Sequence, residues 1–243
     1  MSNGPVAEAQ HNQKHQFNNL ITKTSKVSGL RCGNRSFDDM EELKGFAQTL
    51  LQCRIIGIRF WYGSYSPTMV INGIQVTYKN LDNWKVFKTT ERYSYQLLQH
   101  GYHDIKFGPN ELIQDVKART GQAVDQLNFF TNKKRIISKG GKGGDINPFT
   151  VDEGRVIIGT YGATGACLQH IGFYTAPLRE VRYWQKRSYI LMKASVRKNK
   201  AIQDQIKKKV KDGLVARDVL AEATFVLLVS KGDQIFAQVM RFL

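Results

Sequence analysis

The side chains that most often carry chemistry are few and scattered in this sequence. Five histidines, His11, His15, His100, His103 and His170, show no His-Glu-x-x-His spacing. His100 and His103 lack a third ligand, so they read as solvated loop residues, and no metal or cofactor is expected. Cys167 precedes His170 as a thiol nucleophile would precede its base, yet no orienting third residue or oxyanion loop accompanies them. The three cysteines, Cys32, Cys53 and Cys167, are odd in number and lack zinc spacing, and they read as reduced, buried thiols. Two features remain. The run Gly140-Gly141-Lys142-Gly143-Gly144-Asp145 places consecutive backbone N–H groups beside a lysine, a nest suited to an anion. It is not a nucleotide-binding P-loop, because no Ser or Thr follows its Gly-Lys and it does not lead from a strand into a helix. The run Lys207-Lys208-Lys209-x-Lys211 is the densest basic segment. It reads either as a grip on a polyanion, with salt-dependent binding, or as the solvated side of an amphipathic helix.

The elements that must position these residues follow from composition and pattern. At 243 residues, 42% hydrophobic and 11% aromatic, the chain can hold one sizeable domain plus an appendage without disulfide staples. Residues 1–28 are polar and Gln/Asn-rich and read as an extension. Residues 29–178 are patterned as strands, short runs of Ile, Val, Phe and Tyr broken by Gly and Asn. Residues 179–243 read as a mixed, partly helical extension, with Ile202, Ile206 and Val210 on one helical stripe, a stop at Gly213, and a further helix or strand over Val219 to Val229. Of the net charge of +16, this extension carries 15 Lys/Arg against 6 Asp/Glu, so basicity belongs mainly to the tail. Such a tail attracts nucleic acid, anionic lipid or an acidic protein face. Tyr183, Trp184 and Tyr189 are expected to pack on the strand domain, since aromatics do not interleave with the lysines as a base-stacking platform requires. No secretory signal, myristoylation pattern or membrane-length apolar run is visible, which with the cysteines suggests an intracellular setting.

An internal repeat organises the middle of the chain. Taking Gly63, Gly121 and Gly165 as reference points, isoleucine stands eight residues before each, as Ile55, Ile113 and Ile157. Five before stand Ile58, Val116 and Thr160. After Gly121 come Val124, Leu127 and Phe129, and after Gly165 come Leu168, Ile171 and Phe173 at the same offsets. The first copy has Ile71, Ile74 and Val76 in the same relative spacing after five extra residues. Three copies of strand, glycine turn and strand imply three similar antiparallel hairpins. One such hairpin cannot bury its apolar face alone, but three around a pseudo-threefold axis can. The reference glycines are then expected at turns, where the backbone needs positive φ or close approach.

The residues carrying this repeat also carry a resemblance. Glu111-Leu112-Ile113-Gln114-Asp115-Val116, Val124 through Asn132, Ile157 through Gly165 with Leu168 and Ile171-Gly172-Phe173-Tyr174, Phe37-Asp38-Asp39, and Ile74 through Tyr78 resemble jacalin-type lectin domains in their family order, over about 29–178. The resemblance implies an all-β fold, a β-prism of three four-stranded Greek-key sheets. It also implies shallow sugar pockets at one end, where the Asp of a Gly-x-x-x-Asp turn accepts hydrogen bonds from sugar hydroxyls beside a glycine-lined loop.

Against that pattern the three turns differ. The third, Gly165-Ala166-Cys167-Leu168-Gln169, replaces Asp by a neutral amide, and its partner loop reads Gly33-Asn34-Arg35 instead of a glycine pair. The first has Asn72 with a poor partner loop at His100-Gly101. The second keeps the acid: Gly121, Ala123, Val124 and Asp125 face, by threefold logic, Gly141, Lys142, Gly143 and Gly144. Asp125 is therefore either a carbohydrate acceptor or a surface residue beside a plain hairpin turn. With two acids lost, the reading taken is a non-enzymatic binding module acting as scaffold or adaptor in an intracellular assembly, with protein partners. The alternatives are an intracellular lectin using Asp125, and polyanion or nucleic-acid binding by the tail.

Overall fold

The computed structural model describes residues 19–25, 27–28, 35–65, 68–93 and 99–211. Three long hairpins form its frame. The first joins β4 (Cys53–Tyr65) to β5 (Thr68–Asn80), the second β9 (Ile113–Thr120) to β10 (Val124–Thr131), and the third β13 (Arg155–Thr164) to β14 (Leu168–Pro177). Each is widened to a four-stranded sheet by short outer strands. In the first, β6 (Val86–Lys88) and β7 (Arg92–Tyr93) lie against β5, and β8 (Gln99–Lys106) lies against β4. In the second, β11 (Ile136–Gly140) pairs with β10, and β12 (Asp145–Pro148) returns to pair with β9. That order, with a fourth strand beside the first, is a Greek key. In the third, the outer strands come from the start of the chain: β1 (Thr22–Lys23) and β2 (Val27–Ser28) on β14, and β3 (Arg35–Asp38) on β13. One bridge, Ile113 to Ile157, joins the second and third sheets, and the first is separate. The three-sheet β-prism that the resemblance implies is therefore the fold.

The spacing that revealed the repeat is the spacing of the core. Ile55, Ile113 and Ile157 are all buried, as are Ile58, Val116 and Thr160. So are the downstream trios Ile71, Ile74 and Val76; Val124, Leu127 and Phe129; Leu168, Ile171 and Phe173. Phe129 links the hairpins across the axis, 6.0 Å from Phe60 and 6.3 Å from Phe173 between ring centroids. Alternate residues along each strand face this core, which is why the same offsets recur.

Each hairpin carries two bulges at matching places. The register slips at Ile56, Gln114 and Ile158 near one end, and at Asn72, Asp125 and Gln169 near the other. A bulge leaves one residue without a cross-strand partner and re-aims its side chain. The residues aligned by sequence as candidate sugar acceptors are thus the bulged residues of all three hairpins.

Between the sheets sits a buried ionic knot. Asp39, at the start of the short helix α1 (Asp39–Glu42), is fully buried. Its carboxylate accepts from Arg92 Nη2 at 2.6 Å, from the Thr160 N–H at 2.6 Å, from Thr160 Oγ1 at 2.7 Å and from the Tyr78 hydroxyl. Glu42 takes a second bond from Arg92 Nη2 at 2.6 Å. A buried charge is tolerable only when paired and hydrogen-bonded, and here every partner comes from a different stretch of chain.

The helix α2 (Leu178–Lys211) runs for 34 residues. Its first turns belong to the sheet unit, which also includes residues through Leu81 and Val86–Trp184, and Val181 and Trp184 complete that unit's core. The second compact unit comprises Asp82–Lys85 and the chain from Gln185. Trp184 packs as expected, but Tyr183 is 55% exposed and Tyr189 50%. The expectation that all three pack inward therefore holds only for the tryptophan. Among the described residues no helix is long and apolar enough to cross a membrane. The expected stop at Gly213 and the element over 219–229 lie outside the described residues.

Candidate carbohydrate site

The three hairpin tips converge. Val70, Ala123 and Cys167, at corresponding positions of the repeat, form a small buried apolar cluster of their own. The second and third turns share a further bond: the Gly121 N–H donates to the Ala123 carbonyl at 3.1 Å, and the Gly165 N–H to that of Cys167 at 2.9 Å. The tips therefore form one platform, with Asn72, Asp125 and Gln169 set around it.

Gly121 and Gly165 do sit at turns, but neither has positive φ. Close approach marks only the second of them: a Cβ on Gly165 would lie 2.8 Å from Gln169 Nε2, whereas one on Gly121 would make an ordinary contact, 3.5 Å from Asp125 Oδ2. Gly63 departs from expectation, since it lies within β4, paired with Val70, and the five extra residues carry the first turn beyond it.

Gly140 to Gly144 is not a hairpin turn. It links β11 on one side of the second hairpin to β12 on the other, so it must cross three strand spacings, ~14 Å, over the Asp125 bulge. This crossing explains the glycines. A Cβ on Gly143 would stand 2.8 Å from Asp125 Oδ1, and one on Gly144 2.6 Å from Oδ2. A Cβ on Gly141 would run into the Met69 carbonyl, and Gly140 and Gly144 both have positive φ. The strap is tied down by the Gly141 N–H on the Asp125 carbonyl at 2.8 Å and by Arg119, whose Nε and Nη2 donate to the Gly143 and Gly144 carbonyls at 3.1 and 2.9 Å. Lys142 projects outward and is exposed.

Asp125 itself is 5% exposed, and its Oδ2 is buried without a hydrogen-bond donor. Burial raises its pKa above the usual carboxylate value, while the Gly121 N–H, the Arg119 charge and its own N–H pull it back. The bond-poor oxygen, lined by glycine, is an acceptor suited to a hydroxyl donor. Ala123 and Val124, at the same turn, are buried.

The third unit is different. The Gln169 amide lies against Gly165 and is buried, with Leu168 in the core. Gly33 and Asn34, its partner loop, lie outside the described residues. Asn72 is fully buried. His100 and Gly101 lie in β8, where Gly101 has positive φ, and His103 is exposed. Lys207, Lys208, Lys209 and Lys211 fall in the last turns of α2, and their side chains lie outside the description. Cys53 and Cys167 are buried thiols. Among the described residues no group of three His, Cys, Asp or Glu is arranged to hold a metal ion.

Sequence reading missed three residues of this site. Arg119 clamps the strap, and Thr68 and Met69, on the tip of the lengthened first hairpin, wall its far side, with Thr68 Cγ2 3.3 Å from where a Gly143 Cβ would be. The signal was present in the five-residue insertion, which extends that hairpin toward the second unit.

Comparison with known proteins accords with this geometry. The Jacalin-like lectin domain profile matches residues 33–174, more than half of the chain. The chain belongs to the Jacalin-like lectin domain family. Solved members share the fold of this Jacalin-like domain at low identity. The Calystegia sepium agglutinin is 16% identical with a TM-score of 0.51, over 65% of this chain and 97% of that one. The mannose-binding lectin from champedak is 23% identical with a TM-score of 0.50, over 65% and 97%. Artocarpin, solved with Me-alpha-mannose, is 21% identical with a TM-score of 0.51, over 65% and 98%. Among curated proteins none matches the chain.

Proposed function

We propose that this chain is a non-enzymatic carbohydrate-binding module that takes its sugar at the second-unit turn, with Asp125 as the acceptor. The observation that carries this reading is the Asp125 Oδ2, buried, without a donor and bordered by Gly121 and Gly144. A buried carboxylate oxygen left without a donor is costly, and charge-assisted bonds from adjacent sugar hydroxyls relieve that cost. Because Asp125 is so little exposed, the hydroxyls reach it only as the strap 141–144 yields, and glycine at three of its four positions makes that yielding cheap. A single-site reading is supported by charge: the third unit places the neutral amide of Gln169 where the second places the Asp125 carboxylate, and charged acceptors give the stronger hydrogen bonds.

A glycan array probed with the full chain tests this. Binding is expected for the wild type and for Gln169→Ala, and is expected to disappear in a folded Asp125→Ala variant. Glycan binding that survives Asp125→Ala, or an array blank for the wild type, would overturn the assignment. The second reading, a scaffold or adaptor subunit with protein partners in an intracellular assembly, is favoured by a different feature. The helix α2 leaves Ile190 64% exposed and Leu191 and Val196 also open to solvent. A blank array would turn the choice toward it.

A further inference from the structure

The helix α2 carries 12 Lys/Arg against two acids, Glu180 and Asp204. Within the second compact unit its described cations are not randomly placed. Lys186, Lys193, Arg197 and Lys200 are spaced by seven, four and three residues, which puts them on one face of a 3.6-residue helix. All four are exposed. The row is about 21 Å long at 1.5 Å per residue, and the helical register carries it on to positions 207 and 211. None of the four forms an ion pair with a described acid. The only acid the register brings onto this face is Asp204, which is exposed. Tyr189 lies at the margin of the row, with the Lys193 ammonium 4.6 Å from its ring centroid.

We infer that this face of α2 is a docking ridge for the phosphodiester backbone of a nucleic acid. A line of cations along a rigid rod suits a ligand whose charges are themselves in line and regularly spaced, and it binds by releasing counterions. An anionic membrane fits less well. A helix lying in a bilayer surface needs a contiguous apolar face. Here the exposed Tyr189, Ile190 and Leu191 are consecutive, so they splay about 200° around the helix, and cations occupy the middle of the ridge. This inference is independent of the carbohydrate site, since no residue is shared.

The test is fluorescence anisotropy of the full chain with labelled 20-base-pair DNA and RNA duplexes between 50 and 200 mM salt. The wild type is expected to bind at least one duplex and to lose affinity on the order of a hundredfold over that range, as four phosphate contacts require. The variant K186E/K193E/R197E/K200E is expected to lose binding. A control with the same charge change at exposed positions elsewhere, K88E/K106E/K133E/K134E, is expected to keep most of it. The two duplexes distinguish DNA from RNA as the source of the phosphates. Equal loss in both variants, no duplex binding, or binding only to phosphatidylserine vesicles would overturn the inference.

Discussion

At the residue scale, Lys79 shows how the packing of one side chain sets its chemistry. It stands directly across the first hairpin from Arg54, a like-charged neighbour. Burial first, and the Arg54 charge second, push its pKa down to about 8. The protonated form is therefore penalised in the folded protein relative to the unfolded chain, where the ordinary value is 10.5. That penalty is fully present below pH 8 and is relieved as pH rises toward 10.5, so this group makes stability increase with pH across that window. Lys79→Met is expected to be more stable than the wild type in urea denaturation at pH 7, with the gap closing by about pH 10. A gap that stays constant with pH would assign the gain to packing instead. None of this was legible in the sequence, because the proximity of residues 54 and 79 depends on the register of a lengthened hairpin. The same holds for Asp39. Phe37-Asp38-Asp39 is legible as a motif, but the ties of Asp39 to Arg92 and Thr160 span 53 and 121 positions, and no local pattern announces them.

At the scale of elements, periodicity told much and connectivity told little. The offsets from Gly63, Gly121 and Gly165 found the core of all three hairpins, because a period of two on a pleated sheet maps directly to inside and outside. The same offsets placed Asn72, Asp125 and Gln169 in correspondence. They did not show that these are bulges, since a bulge is a property of paired registers. Nor did a glycine run distinguish a tight turn from a strap crossing a sheet's end. Arg119 is the residue that makes the difference testable. Its two bonds to the Gly143 and Gly144 carbonyls are charge-assisted and hold the strap over Asp125. Arg119→Ala is expected to lower stability by about 1–3 kcal/mol. It is also expected to speed amide hydrogen exchange at 141–144 while leaving protection in β9 and β10 unchanged. Unaltered exchange in the strap would mean that Arg119 does not restrain it.

At the scale of the whole molecule, the three-sheet design leaves one sheet short until distant chain arrives. Residues 1–28 read as a polar extension because they are Gln/Asn-rich and show no period that would bury a face, and Thr22, Lys23 and Thr24 lie within them. Their role is backbone pairing on β14. The Thr24 N–H donates to the Phe173 carbonyl at 2.9 Å and its hydroxyl accepts from the Phe173 N–H at 3.0 Å, while Leu20 and Ile21 pack on the core. Polar residues that serve a sheet edge look like a loop in sequence. Deleting residues 1–28 removes β1 and β2 and bares that edge, a template for intermolecular strand pairing. The truncated chain is expected to melt lower and to show concentration-dependent association in light scattering. A monomer with unchanged melting temperature would show that the edge needs no cover.

The pairing of Thr22 with Thr175, 153 positions apart, also sets a timetable for biosynthesis. A ribosome adding about 5–20 residues per second needs roughly 8–30 s to deliver the second partner after the first. Throughout that interval the Thr22–Lys23 strand lacks the β14 strand it pairs with. The third sheet therefore closes only after the chain around Thr175 has been made, later than the first two hairpins, whose partner strands follow one another directly.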